Sequence, residues 1–181
     1  MKISTKRLDA ALASQGPLGA MFSCTNPAHP DPTTHAQSIT IVVAPSKDPD
    51  FKYAVNTIPE CFEISHLGTV TFTLNTGFVD DWVATNVVDV EFSLPKDSSK
   101  PKLKGPFDRY NGKPKKRGMY DDLFGKGPNV VQAAAVSQSV ATGWTCPFTV
   151  KIFDKNGAFL GEVDPGIKVI DDPGSLGKKK P

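Results

Sequence analysis

Four Asp-Pro bonds carry the most direct chemistry in this sequence. They begin at Asp31, Asp48, Asp164 and Asp172. An aspartate carboxylate can attack its own carbonyl carbon, and the tertiary amide of proline leaves readily once it is protonated. The same dipeptide is also ordinary turn chemistry. A turn and a cleavage site therefore both stay open, and Asp164 is the candidate catalytic residue of an aspartate-dependent, self-cleaving peptidase.

Three adjacent acid pairs raise the question of an aspartic dyad: Asp80-Asp81, Asp121-Asp122 and Asp171-Asp172. A dyad needs two carboxyl groups about 3 Å apart that share one proton in a dry cleft. Neighbouring residues of a strand point to opposite faces, so a sequential pair cannot form the dyad by itself. None of the pairs lies in the Asp-Thr/Ser-Gly context of pepsin-like enzymes. We interpret them as solvated turn carboxylates.

The metal-binding residue types are few and poorly spaced. His29 and His35 flank Asp31 in a proline-rich segment, but their spacing matches no rigid helical or hairpin site. The three cysteines are odd in number and form no C-x-x-C motif: Cys24, Cys61 and Cys146. We interpret them as buried free thiols. No phosphate-loop, dinucleotide or nucleophile-elbow motif is present. The sequence predicts no metal site and no cofactor.

Positive charge is concentrated in one segment. Between Lys96 and Gly118 there are 9 basic and 2 acidic residues, whereas the rest of the chain has 12 basic and 17 acidic ones. The candidate partner-binding residues are Lys102, Lys104, Phe107, Arg109, Tyr110, Lys113, Lys115, Lys116 and Arg117. Such a patch can neutralise phosphates while its aromatic rings stack on bases. The same charges can also simply keep a flexible loop solvated. Because the net charge of the chain is only +2, a solvated loop, or one that contacts a protein partner or takes part in self-assembly, is favoured over nucleic acid.

The C-terminal stretch predicts a hairpin followed by one more strand. Phe148–Phe153 alternates apolar and polar residues, and an Asn-Gly turn leads to a partner strand at Ala158–Val163. Asp164-Pro165-Gly166 is predicted to break the ladder and form a corner before Ile167–Ile170, because proline has no N–H to donate. At this corner we expect Asp164 to accept local backbone N–H bonds and Gly166 to adopt a φ that other residues resist.

Alternation and turn residues predict about eight strands in total. The other segments are Ser38–Val43, Phe51–Ile58, Cys61–Ile64, Thr69–Leu74, Val87–Leu94 and part of 129–142, where a helix is the alternative. Six residues are predicted to be buried and shared between two sheets: Val70, Phe72, Val90, Phe92, Val150 and Ile152. The predicted fold is all-β, an antiparallel β-sandwich with immunoglobulin-like layers, because each strand has one apolar face to bury.

The predicted organisation is one domain with three appendages. Residues 1–37 form a proline-rich arm with a short helix at Ser4–Ser14, 38–173 form the sandwich, and 174–181 form a flexible tail. Within the sandwich, 95–127 is an irregular basic insertion. Six of its apolar side chains are candidates to pin parts of it to the body: Phe107, Tyr110, Met119, Tyr120, Leu123 and Phe124. No apolar run approaches the ~20 residues that span a bilayer, and no signal-peptide core is present. We therefore expect a cytoplasmic protein with no membrane contact.

The segment Phe148–Pro173 resembles the close of the small bacterial DP-EP family, whose members end with a charged hairpin, an Asp-Pro, a short apolar strand and an acid-Pro pair. Asp164-Pro165 matches the first pair, and Asp172-Pro173 has aspartate where the family has glutamate. The resemblance implies a single β-sandwich and brings no established activity. The predicted function is a non-enzymatic interaction or structural module within an assembly. A self-cleaving peptidase and a nucleic-acid-binding module are the alternatives.

Overall fold

The structure is a computed structural model that describes residues 27–65, 68–92, 119–120, 122–125, 130–133 and 145–170. Its described part is built of strands. They are β1 (Gln37–Pro45), β2 (Tyr53–Ile58), β3 (Cys61–Ser65), β4 (Val70–Asn75), β5 (Val87–Phe92), β6 (Met119–Tyr120), β7 (Val130–Ala133), β8 (Thr145–Phe153), β9 (Phe159–Val163) and β10 (Gly166–Ile170). Among these residues, no helix has the length and hydropathy to cross a membrane. The helix predicted at Ser4–Ser14 lies outside the described ranges.

The first sheet has four strands in the order β2-β1-β4-β7. β1 pairs antiparallel with β2 and parallel with β4, and β4 pairs antiparallel with β7. A second parallel pair joins β3 to β10 in the other sheet. The expectation of a purely antiparallel arrangement is therefore wrong. Alternation shows which face of a strand is buried, but it carries no information on the direction of the neighbouring strand.

The second sheet has six strands in the order β3-β10-β8-β5-β6, with β9 added to β8. β8 is its centre, because β5 runs along one edge while β9 and then β10 run along the other. β2 and β3 belong to different sheets, and the chain passes from one sheet to the other at the cis peptide bond Ile58–Pro59.

The Asp-Pro between β9 and β10 does not turn the chain away from β8. Val163 lies opposite Val150, and three residues later Gly166 lies opposite Pro147, so the register is the same on both sides. The Phe148 N–H still donates to the Pro165 carbonyl at 3.0 Å. Only the reciprocal hydrogen bond, from residue 165 to the Phe148 carbonyl, is missing, because proline has no N–H to donate. The predicted corner is wrong, and the two strands follow β8 as one interrupted strand.

One hydrophobic cluster takes residues from both sheets. All six residues predicted to be buried belong to it, with at most 4% of their surface exposed, and that prediction is confirmed. Phe148 is central to the cluster. Its ring stacks on Phe92 with centroids 5.1 Å apart and meets Phe62 edge-on at 6.0 Å. β3, β5 and β8 are therefore joined through two aromatic contacts that share the ring of Phe148.

The predicted irregular insertion contributes more to the body than its sequence indicated. It contains β6, which pairs antiparallel with β5. It also contains Leu123 and Phe124, which are buried in the hydrophobic cluster, and the Leu123 N–H donates to the Val88 carbonyl at 2.7 Å. The expectation that these two side chains pin the insertion is confirmed. The prediction of a wholly irregular insertion is wrong, because it contains β6. At two residues this strand is too short to produce a visible periodicity in the sequence.

Cys61 forms a disulfide bond. The interpretation of this residue as a free thiol is therefore wrong, since an odd number of widely spaced cysteines does not reveal which of them come together in the fold. Disulfides persist mainly in oxidising compartments. The cytoplasmic location stays a prediction, and this disulfide runs counter to it.

Replacing Phe148 by alanine tests the aromatic contact at the centre of the core. We expect Phe148→Ala to lower the free energy of unfolding by about 3–5 kcal/mol, because a cavity would replace a fully buried ring. Equilibrium urea unfolding measures this loss. Thr149→Ala, one residue along and on the opposite face, is the control and is expected to change stability by less than about 1 kcal/mol. Equal losses in the two variants would contradict the described core.

The disulfide gives a second prediction. Cys61→Ser is expected to lower the free energy of unfolding by about 2–4 kcal/mol, and a reducing agent should destabilise the wild type but not this variant. β10 lies between β3 and β8, so the Cα atoms of Cys61 and Cys146 are two strand spacings apart, about 10 Å, beyond the ~7 Å limit for a bridge. Non-reducing peptide mapping should therefore join Cys61 to Cys24. A peptide that carries Cys61 as a free thiol would refute the prediction.

Candidate functional site

The second sheet presents a face directed away from the core. Val88, Val90, Val150 and Ile152 are buried in the core, so the residues that alternate with them point outward. We call this surface the outer face. It consists of Val87, Asp89, Glu91, Thr149, Lys151, Phe153, Phe159, Glu162 and Asp164.

Strand pairing arranges the charged residues of the outer face in rows. Lys151 lies opposite Asp89 on one side and opposite Glu162 on the other. In the next row Thr149 lies opposite Glu91. The continuous register of β9 and β10 along β8 brings Asp164 to the other side of Thr149. Residues directly opposite one another have Cβ atoms about 4.5–5.5 Å apart. Asp89 and Glu162 thus flank Lys151 directly, and Glu91 and Asp164 lie in the neighbouring row. With four carboxylates to one ammonium group, the face has a negative potential.

An aromatic cluster lies at the end of the same face. The ring of Phe159 is 5.7 Å from that of Phe153 and 5.7 Å from that of Phe51, and it is 41% exposed. A β-bulge in β9 positions it, because Ile152 pairs with Gly161 whereas Phe153 pairs with Phe159. The extra residue is Leu160, which packs against the core. The bulge therefore places a phenylalanine beside Phe153 where an unbroken register would have placed Leu160.

The hairpin turn that carries this cluster is rigidly built. As predicted from Asn-Gly, a tight turn joins β8 to β9, and Gly157 takes a positive φ of 84°. The Asp154 carboxylate accepts the N–H groups of Ala158 and Asn156, both at 2.8 Å. These bonds, that from Ala158 foremost, hold the pKa of Asp154 below its usual value. The turn thus fixes the spacing of Phe153 and Phe159.

Asp164 is exposed, and none of the hydrogen bonds among the described residues uses its carboxylate. Backbone bonds hold the segment instead, since the Gly166 N–H donates to the Glu60 carbonyl at 3.2 Å. Gly166 does not have a positive φ. The side-chain role expected at this position and the special φ are both wrong, because the ladder continues through the Asp-Pro and leaves no corner to stabilise.

The described carboxylates do not form a dyad with Asp164. Its cross-strand neighbour is Thr149, and Glu91 lies one strand farther, about 10 Å away. Asp81 is engaged elsewhere, with Lys52 Nζ at 2.8 Å, and this ion pair lowers the pKa of Asp81. In the described ranges no group of three metal-ligating side chains is arranged to hold an ion. The self-cleavage hypothesis gains no support from these positions.

One buried acid was not singled out by sequence reasoning. Glu63 is 6% exposed on β3, and its Oε2 lies 2.6 Å from Nδ1 of the exposed His29. The Ala28 N–H donates to the Cys61 carbonyl, and the Glu63 N–H donates to the Ala28 carbonyl, both at 2.9 Å. His29 therefore fastens the arm to the edge of β3. The alternative hypothesis is that His29 binds a metal ion. Among the described residues, Glu63 is the one further possible ligand beside it, and no group of three possible ligands is formed.

The basic residues predicted to bind a partner lie outside the described ranges and stay predictions. They are Lys102, Lys104, Phe107, Arg109, Tyr110, Lys113, Lys115, Lys116 and Arg117. Sequence reasoning missed the outer face instead. Alternation did mark Asp89, Glu91 and Lys151 as outward-facing, but only the cross-strand register shows that they share one surface with residues of β9.

Asp164→Asn tests the assignment of this residue to an exposed face. We expect a change in the free energy of unfolding within about 0.5 kcal/mol, because no described hydrogen bond is lost. Thermal and urea unfolding measure stability, and intact-mass spectrometry after storage at neutral pH monitors the chain. A large loss of stability would show that the Asp164 side chain stabilises the fold after all. Cleavage that occurs in the wild type and stops in Asp164→Asn would establish the catalytic one.

No protein family model matches the chain, and no curated protein matches it. The resemblance of Phe148–Pro173 to the DP-EP family therefore stays a prediction.

Proposed function

We propose that the chain is a non-enzymatic β-sandwich module that binds a positively charged protein segment through its outer face. The sandwich is supported by the single hydrophobic cluster, to which both sheets contribute. It is supported also by Gly161 of β9, where any Cβ would collide with the carbonyl oxygen of Tyr53 on β2. Glycine at this position lets the edges of the two sheets approach each other closely.

The observation that carries the proposal is the combination on one face of carboxylate rows and an aromatic cluster. Aromatic side chains are enriched at protein interfaces and provide most of the binding energy there. Charges arranged around them raise association rates and select partners of opposite sign. Phe159, with 41% of its surface exposed, supplies the anchor of the face, and the surrounding carboxylates supply its selectivity for basic partners.

The distribution of charge along the chain favours a positively charged partner for the outer face. Residues 96–118 have 9 basic and 2 acidic residues, a net charge of +7. The rest of the chain has 12 basic and 17 acidic residues, a net charge of −5. A negatively charged surface repels phosphates, and this argues against nucleic acid as the ligand of the outer face. A segment rich in lysine, arginine and aromatic residues is complementary to it in both charge and apolar character.

The proposal is tested with a synthetic peptide of residues 100–117, which contains lysines, arginines, Phe107 and Tyr110. We expect the full chain to bind it, with an affinity that falls as salt screens the charges. Asp164→Lys should weaken binding about tenfold or more, because it reverses the charge of an exposed carboxylate in one of the two carboxylate rows of the face. Isothermal titration calorimetry measures the dissociation constants.

Two matched controls make the test specific. Asp80→Lys makes the same change of charge at an exposed residue of the β4–β5 loop, off the outer face, and should alter affinity by less than about twofold. A peptide with Phe107→Ser and Tyr110→Ser keeps the charge but removes the aromatic rings, and it should bind more weakly to the wild type. Equal binding by wild type and Asp164→Lys would reject the outer face as the site.

A further inference from the structure

We infer that the outer face binds a second copy of this chain, in a contact that joins the face of one copy to a basic part of the next. This inference rests on the proposed function and names its partner. The distribution of charge favours a second copy as the partner, because the same chain contains both a negatively charged face and a positively charged segment. Residues 96–118 carry a net charge of +7, and the rest of the chain carries −5.

The charge of the face determines the type of contact. A contact of the face with itself would place the carboxylates of one copy near those of the other, and like charges repel. The aromatic cluster alone would have to overcome that repulsion. A contact between the face and a different, basic surface removes it. Such a contact can close in a two-fold dimer, in which each face binds the basic surface of the other copy, or continue head to tail into rings or open chains.

The distribution of charge within the sequence agrees with this arrangement. Within the range from Lys96 to Gly118 there are 9 basic and 2 acidic residues, together with Phe107 and Tyr110. Such a composition supplies positive charge and aromatic rings that are complementary to the carboxylates and the aromatic cluster of the outer face. A near-neutral whole chain is what a self-complementary building block requires, since copies of large net charge would repel one another.

Sedimentation velocity of the full chain provides the first measurement. We expect association that grows with protein concentration at about 0.1 M salt and dissociates near 1 M, where the Debye length falls from about 10 Å to about 3 Å. Glu91→Lys/Asp164→Lys reverses the face. Lys113→Glu/Lys115→Glu/Arg117→Glu reverses the net charge of residues 113–117 from +4 to −2 and lowers that of residues 96–118 from +7 to +1. Each variant alone should associate at least about tenfold more weakly than the wild type.

Mixing the two variants tests the contact between the face and the basic segment. The face-reversed variant keeps an intact basic segment, and the segment-reversed variant keeps an intact face. The mixture should therefore associate, whereas each variant alone associates weakly, because the basic segment of one variant can bind the intact face of the other. A contact of the face with itself predicts instead that the segment-reversed variant associates as strongly as the wild type. That result, or failure of the mixture to associate, would overturn the inference.

The outcomes for the inference and for the proposed function are separable. A wild-type chain that stays monomeric at low salt, yet binds the 100–117 peptide through the outer face, would overturn the second copy as partner and leave the interaction module standing. A wild-type chain that stays monomeric and fails to bind the peptide would overturn both. Salt-resistant association unaffected by Glu91→Lys/Asp164→Lys would place the contact elsewhere and overturn the inference alone.

Discussion

Both the fold and the outer face depend on one constraint: along one edge of β8, the register does not shift across Asp164-Pro165. β9 and β10 follow β8 without a shift across Asp164-Pro165. If the chain left β8 at the proline, β10 would not reach β3, and Asp164 would not lie level with Thr149 and Glu91. The proline removes one donor from the ladder but keeps its carbonyl as acceptor, so the cost is a single unmade bond rather than a broken sheet.

Sequence periodicity predicted the strands and the core better than it predicted their pairing. Val70, Phe72 and Val150 are buried as expected, because a period of two identifies the apolar face of a strand. The parallel pairing of β1 with β4 is a non-local property, since it depends on how distant segments cross and not on any local pattern. The Asp-Pro was misinterpreted for the same reason. Turn residues indicate a local break, but tertiary pairing carried the strand through it.

The candidate site shows the same division between local and non-local information. That Asp89 and Glu91 point outward follows from alternation in β5. That Lys151 lies between Asp89 and Glu162 requires the register of three strands. The bulge opposite Phe153 was also invisible, because Phe159 and Leu160 are both large and apolar and the sequence does not show which one packs inward. Only the strand pairing of the fold therefore shows that these residues share one face, although the sequence contains each of them.

In the proposed function, affinity and selectivity depend on two kinds of side chain. Surface carboxylates each contribute little to affinity but bias encounters toward basic partners. Phe159 has the opposite effect, because burying an aromatic ring is favourable whatever the sign of the neighbouring charge. A bulge of one residue in β9 therefore determines whether this sheet face presents carboxylates alone or carboxylates beside an exposed aromatic ring.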